Sequence, residues 1–235
     1  MENLQNNIIG LTIGIRFARS FRIPDIAGDI IDNILYGKDT PFGVKFFPKV
    51  QENSNREKTL FNNETSDYLR INTDDLIIGI SIKNDFEQKF NWLKESVLPY
   101  LKDTLFLKYQ IKNIRRLGII FSHKIPRNKK MHETIALLTN NTLDEINNIS
   151  VSFAKKLPAT EAKYRKDVND YKNTIYNFDE IKEALYAGLD YQYYYDSFEE
   201  DLRQCFTEKI LDDAKSFLEN NYYKWLSQYE NKQKK

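Results

Sequence analysis

Apolar and polar residues alternate at the start of the chain. Ile9, Leu11, Ile13, Ile15 and Phe17 share one parity, and Gly10, Thr12, Gly14, Arg16 and Ala18 share the other. Successive side chains of a strand point to opposite faces, so this pattern predicts a strand with one apolar face. After Ile23-Pro24 the period changes. Ile26, Ala27, Ile30, Ile31 and Ile34 recur at helical spacing until Gly37, which predicts a helix of about three turns with Pro in its first turn. Residues 44–50 read as an edge strand interrupted by Pro48, and polar 51–58 as an exposed turn or loop. Tyr68, Leu69 and Ile71, then Leu76, Ile78, Ile80 and Ile82, predict a hairpin across Asn72-Thr73-Asp74-Asp75, whose side chains can bond the turn backbone. Phe86, Phe90, Leu93, Val97, Leu98, Leu101 and Leu105 mark a long amphipathic helix, and 114–125 the next strand.

Strand, helix, strands, helix, strand is close to the split βαβ order of ferredoxin-like domains. The expected fold class is therefore α+β, with a first half at 1–126 whose helices cover one face of an antiparallel sheet. The second half, 127–235, is expected to hold a short helix at 131–138, strands near 149–153, 173–178 and 184–195, and a long closing helix. That helix is expected to start from a Ser197/Glu200 capping box and to carry Phe198, Leu202, Phe206, Ile210, Leu211, Ala214, Leu218, Trp225 and Leu226 as its apolar stripe. No Gly- or Pro-rich linker separates the halves, so they are expected to form one compact unit.

Composition narrows the classes. A content of 41% hydrophobic residues, with 15 Phe and 15 Tyr, is enough for a sizeable core. The single cysteine, Cys205, allows no intramolecular disulfide and no thiolate metal site from this chain alone, which fits a reducing cytoplasm. The first residues lack a basic region, and the apolar run 8–15 is short and broken by glycines, so neither a signal peptide nor a membrane partner is expected.

Charge changes the picture more. With 35 Lys+Arg against 34 Asp+Glu the chain is nearly neutral, yet residues 104–131 contain no acid and carry Lys108, Lys112, Arg115, Arg116, Lys124, Arg127, Lys129 and Lys130. His123 lies inside this band and His132 adjoins it. Lys124, Arg127, Lys129, Lys130, Arg115 and His123 are the candidate contacts to a nucleic acid or another anionic partner, with Tyr109 and Phe121 available to stack on bases. The competing reading pairs the band with the acids of the closing helix, Glu199, Glu200, Asp201, Glu208, Asp212 and Asp213.

Ser122, His123 and Lys124 have the residue types of a hydroxyl, a base and a phosphate anchor. Neighbours on a strand face opposite ways, however, so nucleophile and base would not meet, and a solvent-facing His123 is expected. No phosphate-binding loop, dinucleotide fingerprint or metal-ligand spacing is present, so no catalytic residue, cofactor or metal is assigned. Tyr191, Tyr193 and Tyr195 share a strand face with Leu185, Ala187 and Leu189, while Tyr194 lies on the other. This cluster is read as core grading into a rim, with Tyr191, Tyr193, Tyr194 and Tyr195 as the candidate protein interface.

Several of these segments resemble a sporadically distributed family of bacterial proteins of about this length, for which no chemistry is established. The resemblance rests on Ile15-Arg16-Phe17 followed by Ile23-Pro24, on Arg116-Leu117-Gly118-Ile119-Ile120-Phe121, and on Leu189-Asp190-Tyr191 ahead of a Phe-rich terminal segment at 198–217. The family pattern has Arg and then Tyr-Ile-Asn after that glycine, where this chain has Ile120, Phe121, Ser122 and His123. The resemblance implies an α+β fold of two related halves and patchy occurrence in mobile or phage-defence-linked loci. The function expected is non-enzymatic protein binding or assembly, self-association included, with nucleic-acid binding or RNA cleavage through 108–130 as the alternative.

Overall fold

A computed structural model describes residues 2–54, 57–125, 148–158, 169–181, 184–199, 202–205 and 207–230. Their strands form one nine-stranded sheet in the order β2-β3-β4-β5-β1-β6-β9-β8-β7. The strands are β1 (Ile8–Phe17), β2 (Lys49–Ser54), β3 (Glu57–Phe61), β4 (Tyr68–Ile71), β5 (Asp75–Ser81), β6 (Ile114–Ile125), β7 (Asn148–Pro158), β8 (Tyr171–Ile181) and β9 (Ala184–Glu199). Every neighbouring pair is antiparallel. The α+β class stands, but β6 pairs with β9 from Ile125↔Leu185 to Ile114↔Glu199, so the segments on either side of residue 126 share a single sheet.

Helix α1 is the single turn Glu2–Gln5, and α2 spans Ile23–Tyr36 with Pro24 in its first turn. Helix α3, residues 86–109, contains Pro99, which has no N–H and would clash with the carbonyl four residues earlier in an ordinary helix. Wider π turns at Leu93–Val97 and Leu101–Phe106 flank it and carry the chain past the proline. The helix ends at Gln110, in the left-handed region at φ 53°.

The closing helix, α4, occupies residues 207–230 and also contains a π turn, Leu218–Tyr222. It starts later than its apolar stripe suggests. Ser197 belongs to β9 and Leu202–Gln204 forms a 3-10 turn, so the Ser197/Glu200 capping box does not open it. Phe206 and the predicted helix at 131–138 lie outside the described residues.

Two further corrections concern strands. The expected strand at 44–50 begins only at Lys49, after Pro48, and the expected loop 51–58 is largely the β2–β3 hairpin. A register shift between Ile8 and Gly10 turns Ile8 inward at 2% exposure and leaves Ile9 at 39%, reversing the parity expected at the start of β1.

The core lies on one side of the sheet. Leu11, Ile13, Ile15 and Phe17 of β1 and Leu117, Ile119 and Phe121 of β6 are buried there. Phe17 meets Phe106 of α3 edge-on at 6.0 Å, and Phe90 of α3 stacks on Phe121 at 6.5 Å. Tyr100 and Tyr109 of α3 donate to the Asn33 and Asp29 carbonyls of α2, both at 2.9 Å. Helix α4 joins the same layer through Tyr222 against Tyr176 of β8 and Phe217 against Tyr191 of β9. Between α3 and α4, Lys94 bridges Asp212 at 2.6 Å, Lys102 bridges Glu208 at 3.1 Å and Lys215 bridges Glu87 at 2.6 Å.

Candidate functional site on the open face of the sheet

Because α2, α3 and α4 all cover the same side, the opposite face of β1 and β6 is crossed by no helix among the described residues. Strand alternation assigns this face Thr12, Gly14 and Arg16 of β1, Gly118, Ile120 and Ser122 of β6, and Gly188, Asp190, Gln192 and Tyr194 of β9. Pairing brings them into rows. Gly14 is opposite Gly118 and Gly118 opposite Gln192, while Thr12 is opposite Ile120 and Ile120 opposite Asp190. Gly14 and Gly118 leave a low point in the face between the Thr12, Ile120 and Asp190 row and the arginine end. Toward β4, the Tyr68 ring lies across Gly79, where an added Cβ would run into the ring.

At one end Arg16 is directly opposite Arg116. Like charges opposed across a strand pair repel, and no ion pair relieves Arg16 among the described residues. Asp75, its neighbour on the other side, is engaged by Arg70 at 3.7 Å and by Asn72 at 2.8 Å. Arg116 donates to the Tyr194 hydroxyl at 3.2 Å and sits 5.7 Å from that ring. Tyr194 stacks on Tyr171 of β8, with centroids 4.6 Å apart and planes at 6°, and Lys156 of β7 caps Tyr171 at 4.0 Å.

A polar chain runs beside this stack. Tyr194 donates to Gln192 Oε1 at 2.9 Å, and Gln192 donates through Nε2 to Asp190 Oδ2 at 2.5 Å. Gln192 is 5% exposed, and Asn173 of β8 donates to its Oε1 at 3.4 Å. Burial pushes the Asp190 carboxyl above the ordinary range, against the opposing pull of the Gln192 hydrogen bond and the Arg116 charge. The residues are thus held in place by one another, as a recognition surface requires.

The residues predicted from sequence divide. Lys124 is exposed on β6, and Arg115, also exposed, sits at a bulge where the register shifts between Ile114 and Arg116. Arg127, Lys129 and Lys130 lie outside the described residues. His123 is not solvent-facing: it is 0% exposed, between Tyr222 and Tyr223 of α4 at 5.5 and 5.7 Å, with Nε2 3.4 Å from the Tyr223 hydroxyl. Burial drives its pKa down to about 4, so at neutral pH it is an uncharged core residue that no substrate reaches. Ser122 belongs to the opposite face, so the two form no nucleophile and base pair.

Of the tyrosines, Tyr191, Tyr193 and Tyr195 are buried at 2%, 1% and 6% and offer no free ring to a partner, because their parity turns them to the helix-covered side of the sheet, Tyr191 against Phe217 of α4. Tyr194 alone of the four lies on the open face. Of the acids expected to neutralise the basic band, Glu208 and Asp212 are used by α3 and Asp213 by Lys172 of β8 at 2.7 Å, while Glu200 and Asp201 lie outside the described residues. Arg16, Asp190, Gln192, Tyr171 and Lys156 were not singled out from sequence. Parity alone assigns Arg16 to the polar face of β1, but its position opposite Arg116 depends on a pairing between strands about 100 residues apart.

Among the described residues no group of three or more His, Cys, Asp or Glu comes together to hold a metal, and no helix is long and apolar enough to cross a membrane. No family model matches the chain, and no curated protein matches it. A solved structure of Methanococcus jannaschii TBP is similar over 89% of this chain and 98% of that chain, at 10% identity and a TM-score of 0.29, a likeness too low to carry an argument.

Proposed function

We propose that this protein is a non-enzymatic binding component that docks an acidic protein surface against the arginine end of its open sheet face. The observation that carries the reading is Arg16 directly opposite Arg116 on that face. Such a pair costs stability in the free protein, and a carboxylate laid across both guanidinium groups turns the repulsion into charge-assisted hydrogen bonds. Tyr194 and Tyr171 beside it supply the aromatic area common at protein interfaces. Asp75, Asp179 and Asp190 belong to the same face and confine its positive end to Arg16 and Arg116, which suits a local carboxylate cluster better than a phosphate backbone laid along the whole face. A cytoplasmic setting belongs with this proposal.

A second reading, single-stranded nucleic acid, is favoured by one feature. The Lys156, Tyr171, Tyr194, Arg116 series is a pair of stacked tyrosines capped at both ends by cations able to bind backbone phosphates. Titrations of a poly-glutamate peptide and of oligouridine into the wild type and into Arg16→Ser/Arg116→Ser separate the two. The proposal expects the peptide to bind the wild type and to lose at least tenfold in affinity in the variant, equivalent to about 1.4 kcal/mol. Oligouridine binding with a steep salt dependence, without peptide binding, would replace it with the nucleic-acid reading.

A further inference from the structure

The two edges of the sheet differ in a way that points to a second surface. Edge strand β2 is six residues long and its pairing with β3 is disturbed between Glu52 and Ser54, which blunts it. Edge strand β7 is eleven residues long and keeps an unbroken register with β8 from Asn148↔Ile181 to Pro158↔Tyr171. Its outer side is met by no strand among the described residues. Ser150 and residues 152–156 are exposed. Phe153, at the midpoint of the strand, is 45% exposed although its ring stacks on Tyr176 at 5.0 Å.

We infer that β7 pairs antiparallel with β7 of a second copy of this chain, about a twofold axis at Phe153, so that the sheet continues from one copy into the other. The strand is self-complementary in that register. Phe153 meets Phe153 and Ser152 meets Ala154. Val151 meets Lys155 and Ser150 meets Lys156, so neither lysine faces a like charge. Asp179 is opposite Ser150 on β8 and makes no ion pair among the described residues. A lysine is long enough to cross the small Ser150, so Lys156 of the second copy, on leaving its place over Tyr171 of its own copy, reaches Asp179, and the twofold forms this pair twice.

This association uses the β7 edge and leaves the Arg16 and Arg116 surface untouched, so it can fail or succeed apart from the proposed function. Sedimentation over a concentration series reads the dimer constant of the wild type, Ser150→Glu and Ser150→Lys. In Ser150→Glu the new carboxylate meets Lys156 of the second copy and should tighten the dimer about fivefold, while in Ser150→Lys the new ammonium meets it with like charge and should weaken the dimer by a similar factor. At concentrations where the protein is monomeric, thermal stability should move in the opposite sense, because within one copy the introduced carboxylate faces Asp179 with like charge, whereas the introduced ammonium pairs with it. Arg16→Ser/Arg116→Ser should dimerise as the wild type does. A wild type that stays monomeric at its highest attainable concentration overturns the inference, as does a dimer constant shifted in the same direction by both Ser150 substitutions.

Discussion

His123 gives the fold a pH dependence that can be worked out in advance. The imidazole is 0% exposed against Tyr222 and Tyr223, and burial lowers its pKa to about 4. An unfolded chain takes up the proton near pH 6.5, so between those values the unfolded state binds more protons than the folded state. The depressed value means that this stability is present in full above pH 6.5 and is lost as pH falls toward 4. A gap of about 2.5 pH units corresponds to roughly 3.4 kcal/mol once the loss is complete, of which about 2 kcal/mol disappears between pH 7 and pH 5. For a chain of this size that is a fall in Tm of about 4 to 8 °C. Other groups titrate over the same range, so the informative quantity is the difference from His123→Phe, which fills the slot between the tyrosine rings without titrating. Denaturant melts of both proteins at pH 7, 6 and 5 should show the wild type losing about 2 kcal/mol more than the variant. Parallel stability profiles would refute the burial of a neutral histidine and the docking of α4 over β6.

Other expected outcomes follow from packing and charge. Leu211→Ala in α4, at a 0% exposed position, should cost about 2 to 5 kcal/mol in a denaturant melt, and an unchanged midpoint would mean that α4 does not cover the core. Gly79→Ala should cost about 1 to 3 kcal/mol by forcing the Tyr68 ring off the sheet, and most of that loss should vanish when Tyr68→Ala is added; additive losses would show that the ring does not lie there. Arg16→Ser should leave stability unchanged or raise it by a few tenths of a kcal/mol, because it relieves the repulsion from Arg116. A clear loss would mean that Arg16 has a structural role and would remove the main support for the binding surface.

The elements whose burial follows a local period were legible in the sequence. The β1 alternation from Leu11 onward, the α2 spacing after Pro24, the β4–β5 hairpin and the stripe of α3 each appear where their apolar residues predict them. The β2–β3 hairpin is not legible because β2 is polar and exposed and β3 buries only Leu60 fully, so neither carries an alternation to read. The start of α4 was missed because β9 runs on through Ser197 to Glu199, and tertiary pairing with Ile114 outweighs a local capping signal. The candidate site was only partly legible. Composition located a basic band, but band membership did not separate buried His123 from exposed Lys124, since that depends on strand parity and on which face the helices cover. The Arg16 and Arg116 pair and the Tyr171 and Tyr194 stack are products of strand register, which no local pattern encodes.

Mapping of backbone amides by NMR during a poly-glutamate titration tests the open-face assignment most directly. The perturbed amides should cluster at Arg16, Arg116, Gly118 and Tyr194, residues contributed by β1, β6 and β9, and the shifts should fade in Arg16→Ser/Arg116→Ser. Shifts confined to the lysines that bridge α3 and α4, Lys94, Lys102 and Lys215, with the open face silent, would contradict it.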